Sequence, residues 1–140
     1  MTSSGELADP RRSDQTADVL HRYAQAWSAG DLTAILDAYA DDVVFHYFGT
    51  HDHAGTHVGR HAAVTAMAAV SAKAARTLIA ITDVLVGSDD LGAILAVERL
   101  ERDGAAVEIQ RAFHYRVAEG RIAECWVYDQ DQRLVDRFLA

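Results

Sequence analysis

The sequence predicts an α+β domain in which a strongly curved antiparallel sheet wraps around three N-terminal helices and encloses an apolar pocket. Three observations predict it. Helical periodicity fills the first half of the chain and strand-like runs fill the second, an order that fits α+β rather than a doubly wound parallel sheet. Tight turns such as Asp103-Gly104 tie those runs into hairpins. Half of the 140 residues are apolar, with nine Gly and one Pro, so a chain of this length can bury one real core.

Residues 1–12 are polar and aperiodic and read as a flexible arm, leaving 13–140 as a single domain. From Ser13 the pattern is helical: Val19, Leu20, Tyr23 and Trp27 share a face, and Gly30 stops the helix. Asp31 is a plausible N-cap for a second helix whose buried stripe is Leu32, Ile35, Leu36 and Tyr39. Asp41-Asp42 breaks it, and Val43 to Phe48 reads as a short buried strand. A Gly- and His-rich loop follows over 49–59, and then an Ala-rich third helix over about 60–75. Leu78–Val86, Gly92–Arg102, Ala105–Val117 and Arg121–Asp129 read as four strands. Their turns are Ser88-Asp89-Asp90, Asp103-Gly104 and Glu119-Gly120, where Asp and Gly tolerate the positive φ that a tight turn requires.

Charge and cysteine content exclude several classes of function. Thirteen basic against twenty-one acidic residues give a net charge of −8, and Lys73 is the only lysine. Nucleic acids and anionic membranes need clustered cations, so neither is an expected partner. A single cysteine, Cys125, forms no intrachain disulfide and no multi-cysteine zinc site. It reads as an inert, small pocket-lining residue. Nothing reads as a signal segment or a transmembrane span, and a soluble cytoplasmic protein is the expectation.

Among ionisable groups, His46 stands out. Alternation puts Val44, His46 and Phe48 on one face of the first strand and Val43, Phe45 and Tyr47 on the other. An imidazole with apolar neighbours is either a half-buried histidine bonded to backbone or a general acid or base. The histidines at 46, 51, 53, 57 and 61 invite a metal reading. Their irregular spacing without an organising carboxylate pattern argues against one, and neither metal nor cofactor is expected. Tyr23 and Trp27 are explained by core packing or as a pocket wall. Trp126 and Tyr128 fall on the face opposite Cys125, where two aromatics suggest a homodimer interface.

The segments His21-Arg22-Tyr23-Ala24-Gln25-Ala26-Trp27-Ser28-Ala29-Gly30-Asp31-Leu32 and Tyr39-Ala40-Asp41-Asp42-Val43-Val44 resemble the opening of SnoaL-like and ketosteroid-isomerase-like proteins of the nuclear-transport-factor-2-like (NTF2-like) superfamily. Ala54 to Arg60, Glu119 to Trp126, and Asp131-Gln132 with Asp136-Arg137-Phe138 extend that resemblance over about residues 15–140. It implies a cone-shaped fold with a pocket between sheet and helices, and it implies no single reaction. The isomerases' oxyanion-donating tyrosine falls on Tyr23. Their carboxylate base falls on His46, and their second, acidic donor falls near Ala112. The same alignment implies a pocket face of Gln110, Ala112 and His114 on one strand and of Cys125, Val127 and Asp129 on the last. His114 and Asp129 would then form an imidazole–carboxylate pair like that of SnoaL-like aldol cyclases. Glu98 would face the pocket with Ala96 and Leu100. Glu98-Arg99-Leu100-Glu101 also resembles the Arg-x-Asp piece of limonene-epoxide hydrolases, whose final-strand Asp is Val127 here.

Catalytic candidates are thus His46, Tyr23, His114 and Asp129, with Trp27, Phe48, Glu98, Gln110, Cys125 and Val127 as substrate contacts. The function implied is a cofactor-independent acid–base enzyme, of isomerase, cyclase or dehydratase type, acting on a small hydrophobic carbonyl compound. Epoxide opening and non-catalytic binding are the alternatives.

Overall fold

The structure, a computed structural model, describes residues 10–140, so the arm expected over residues 1–9 lies outside the described residues. Its elements are α1 (Pro10–Ala29), α2 (Leu32–Asp37), β1 (Tyr39–Tyr47), β2 (Gly55–Val58), α3 (Arg60–Lys73), β3 (Ala75–Val86), β4 (Leu91–Arg102), β5 (Ala105–Ala118), β6 (Arg121–Asp129) and α4 (Gln132–Leu139). Helix α1 already includes residues 10–12, which the sequence had placed in the arm. A proline is well tolerated in a first helical turn, where its missing N–H has no intrahelical partner.

The six strands form one sheet in the order β2-β1-β6-β5-β4-β3. Strands β3 to β6 are an antiparallel meander, as the turns predict: Asp103 and Gly104, like Glu119 and Gly120, all take positive φ. The expectation of a wholly antiparallel sheet needs one correction. Strand β1 lies parallel to β6, because it joins the meander's edge from the other end of the chain. The predicted 49–59 loop also holds a strand, β2, which pairs antiparallel with β1.

Curvature has a visible cause. The β3–β4 register shifts twice, between Leu78 and Ala80 and between Ile81 and Asp83, and each extra residue bends and twists the ladder. The bent sheet folds over α1 and α3, burying Leu20, Tyr39, Ile94, Ile122 and Cys125 completely. Each large apolar side chain so buried contributes about 1.5–3 kcal/mol. Gly92 lets α1 approach the sheet closely, since a Cβ there would collide with Leu20 of α1 and the Leu85 carbonyl. The first turns of α1 also latch onto the β3–β4 turn, where Thr16 Oγ1 donates to the Asp89 carbonyl at 2.7 Å.

One helix ends earlier than expected, and one helix was not expected at all. Asp31 does cap α2, accepting from the Ala34 N–H at 3.2 Å. That helix stops at Asp37, however, so Tyr39 belongs to β1 rather than to the helical stripe. At the other end Asp131 caps α4 by accepting from the Leu134 N–H at 3.0 Å. Val135 and Leu139 of α4 pack with Val70, Ala74, Leu100 and Ile109 in a second small core that closes one end of the curved sheet.

Candidate functional site: a phenol-lined cavity

Between the sheet and the helices lies a cavity of about 250 Å³. Helix α1 contributes Tyr23 and Trp27, α2 contributes Leu32, Ile35 and Leu36, and α3 contributes Val64, Met67, Ala68 and Ser71. The sheet contributes Tyr39, Phe45 and Tyr47 from β1, Arg76 from β3, and Phe113 and Tyr115 from β5. Trp27 stands edge-on to Phe113 at 5.1 Å between ring centres, and Tyr39 edge-on to Phe45 at 5.4 Å. Such edge-to-face pairs hold the rings in fixed orientations.

Phenol hydroxyls are the main polar feature of this wall. Tyr23 and Tyr39 are hydrogen-bonded to each other, with Tyr39 also donating to Met67 Sδ at 4.0 Å. The Tyr23 ring lies 5.6 Å from that of Tyr115. Burial pushes the Tyr23 phenol well above its ordinary pKa, and the Tyr39 hydrogen bond offsets only part of that. Burial also raises Tyr39, Tyr47 and Tyr115. All four therefore stay neutral near pH 7 and act as hydrogen-bond donors, not bases. Two mutually bonded phenols hold two protons but use one between themselves. The other rests on a thioether, a weak acceptor that a ligand oxygen would displace.

Deeper in the cone sits a second polar cluster with the opposite character. Arg111 donates from Nε to Asp129 Oδ1 at 2.7 Å, from Nη2 to Asp129 Oδ2 at 3.2 Å, and from Nη1 to Glu98 Oε1 at 3.0 Å. These three side chains are 2%, 3% and 1% exposed. Although burial works against the charged form, Asp129 and Glu98 hold the Arg111 guanidinium firmly protonated. Arg76 bridges the two clusters: it lines the cavity while its Nε lies 3.7 Å from Glu98 Oε2.

Strand parity decides where the predicted site residues fall. Tyr23 and Trp27 do line the cavity. Glu98 and Asp129 point inward but are locked in the Arg111 cluster, and Cys125 and Val127 point inward into solid core. Burial pushes the Cys125 thiol far up, as expected of an inert thiol. A bulge does occur in the last hairpin, between Arg116 and Val117, but it lies before Cys125 and leaves Asp129 facing inward.

The expectation for His46, Phe48, Gln110 and His114 is corrected. The inward set of β1 is Val43, Phe45 and Tyr47, and that of β5 is Ile109, Arg111, Phe113 and Tyr115. On the outer face His46 Nε2 bonds Glu124 Oε2 at 2.6 Å and Nδ1 bonds Thr56 Oγ1 at 3.1 Å, with the ring stacked on Trp126. His114 packs on Tyr128, which stacks on Phe48, so the expected His114–Asp129 pair is divided by the sheet. Arg99 and Glu101, the epoxide-hydrolase-like residues, pair with each other at 3.2 Å and are 44% and 54% exposed, pointing away from the cavity.

Sequence reasoning missed Tyr39, Tyr47, Arg76, Arg111 and Tyr115. A signal existed for the β1 tyrosines, because Val43-Phe45-Tyr47 is the more uniformly apolar half of that strand. Buried His51 was seen only as a possible ligand. Burial lowers its pKa, and its Nδ1 accepts from the His53 N–H at 3.2 Å. Among the described residues no group of three or more His, Cys, Asp or Glu is placed to hold a metal ion. No helix among them is long and apolar enough to cross a membrane.

Comparison with known proteins agrees with this architecture. Residues 20–125 match the SnoaL-like domain family. An uncharacterized protein of Mycobacterium tuberculosis is 30% identical over 130 residues, covering 91% of this chain and 98% of its own. Bal32a, from a soil-derived mobile gene cassette, superposes with a TM-score of 0.79 at 20% identity, over 92% of this chain and 99% of that one. A Xanthomonas campestris protein of unknown function with a cystatin-like fold gives 0.81 at 23% identity, over 89% and 98%. TerC, in a structure co-crystallized with polyporic acid, gives 0.76 at 12% identity, over 89% and 98%.

Proposed function

The chain belongs to the SnoaL-like domain family, and from that premise we propose that its cavity binds a small, largely apolar organic molecule and polarises one of its oxygens. That is the step on which cofactor-independent isomerisation or cyclisation of a carbonyl compound turns. The carrying observation is the Tyr23–Tyr39 phenol pair on a largely apolar cavity wall. Donors fixed where negative charge develops, in a site of low dielectric, cost no reorganisation during the reaction. Tyr23 keeps the donor role suggested by the family resemblance, and Tyr39 and Tyr115 join it. His46 is not assigned as base, since its ring lies across the sheet.

One observation favours a second reading, a binding module: no carboxylate or imidazole is among the described residues lining the cavity. A single experiment separates the two. Proton NMR follows α-deuteration of 2-tetralone, a small bicyclic ketone, in D2O with wild type and with a Tyr23→Phe/Tyr39→Phe double variant. Catalysis predicts exchange above the buffer rate that falls by about 10²-fold or more in the variant, the scale of a lost oxyanion donor. Binding of 2-tetralone with exchange at the buffer rate would leave the binding module. A homodimer through the outer face of Trp126 and Tyr128 belongs to the same proposal, with sedimentation velocity as its check.

A further inference from the structure

This inference rests on the reading of the cavity as a ligand site and narrows the class of ligand. We propose that the ligand is a small, largely apolar organic acid whose carboxylate or enolate oxygen is held by the Arg76 guanidinium.

Charge carries the argument. Of the described residues lining the cavity, Arg76 alone bears a formal charge, so the wall offers one cation and no anion. Its carboxylate neighbour pairs with it only loosely, as an ion pair without a hydrogen bond. Glu98 Oε1 already accepts from Arg111 at 3.0 Å, and Glu98 Oε2 lies 3.7 Å from Arg76 Nε, beyond hydrogen-bond reach. A guanidinium carries five N–H donors in one plane, matched to the two oxygens of a carboxylate. Arg76 is part-buried, and none of its donors meets a hydrogen-bonded protein acceptor among the described residues. Arg111 shows the contrast, with every guanidinium nitrogen engaged by a carboxylate.

The remaining wall chooses the rest of the molecule. Tyr47, also on the wall, supplies a second donor on the sheet side, and the Tyr23–Tyr39 pair supplies one more, the proton now on the Met67 thioether. Each of these groups gives a proton and so favours a ligand oxygen that accepts, and the charge on Arg76 favours an anionic one. The rings of Trp27, Phe45 and Phe113 make the rest of the wall apolar and aromatic, suited to a hydrocarbon skeleton. At about 250 Å³ the cavity falls below the roughly 300–1,000 Å³ of pockets for drug-sized ligands, which limits the ligand to one or two rings.

The test is isothermal titration calorimetry with trans-cinnamate and its neutral isostere cinnamamide, on wild type, Arg76→Met and Arg76→Lys, each checked for native circular dichroism. Wild type should bind cinnamate at least about tenfold more tightly than cinnamamide, as a charge-assisted pair implies. Arg76→Met should abolish that preference and Arg76→Lys should retain part of it; if Arg76→Met does not fold, the reduced preference in Arg76→Lys carries the test. Equal affinities in wild type, or a preference undiminished in the variants, would overturn the assignment. Binding of 2-tetralone without binding of cinnamate would overturn it while sparing the cavity reading. Failure of all three compounds to bind would overturn both.

Discussion

The cavity and the Arg111 cluster both bury polar groups between the same sheet and helices, yet they are built to opposite specifications. Around Arg111 the guanidinium nitrogens all meet carboxylate oxygens, and the three side chains are sealed from solvent. Around Tyr23 and Tyr39 there is space, one thioether acceptor and a surplus of donors. Buried polar groups carry a desolvation cost that either protein partners or a ligand must offset. The saturated cluster therefore reads as scaffold, and the unsaturated one as the place where something binds.

That contrast is breakable by mutation. Arg111→Met would leave Glu98 and Asp129 buried without their main counter-charge, and should cost about 3–5 kcal/mol in urea unfolding. A loss below 1 kcal/mol would mean that water reaches the cluster. Gly92→Ala pushes a methyl into Leu20 and the Leu85 carbonyl, and should cost about 1–3 kcal/mol in the same assay. Tyr39→Phe sharpens the comparison from the other side: it should cost only about 1 kcal/mol of stability while weakening oxygen-bearing ligands. His46→Ala on the outer face breaks a part-buried pair with Glu124, so a loss of about 1 kcal/mol and unchanged ligand affinity are expected.

Acidity gives a further check. Tyr23, Tyr39, Tyr47 and Tyr115 all have folded pKa values raised by burial, so their contribution is intact below the unfolded value of about 10. It is lost as pH climbs through the folded values. Phenolate absorbance from these four should appear together with the loss of far-UV circular dichroism, not before it.

Much of the fold was legible because local chemistry decides it. The turns at 103–104 and 119–120 need residues that accept positive φ, and Asp-Gly and Glu-Gly supply them. The family resemblance, rather than local chemistry, implied the β4 register with Ala96, Glu98 and Leu100 inward, as found. The site was less legible, because alternation gives two faces without saying which is inside. On β5 the choice lies between Gln110-Ala112-His114 and Arg111-Phe113-Tyr115, and the inner set carries the arginine. Only the carboxylates of β4 and β6, two separate stretches of sequence, make that burial tolerable. Arg76 had no signal at all, since its role comes from the space it faces. Strand β2 and helix α4 were too short for periodicity to place.

The central claim is that the ligand site lies inside the cone and not beside the outer histidines. A crystal structure of the protein soaked with 2-tetralone tests it most directly. Ligand density is predicted inside the cavity, against the Trp27 and Phe113 side chains, with the ketone oxygen within hydrogen-bond distance of Tyr23, Tyr39 or Arg76. Density confined to the outer face near His46 and His114, with the cavity unchanged, would contradict it.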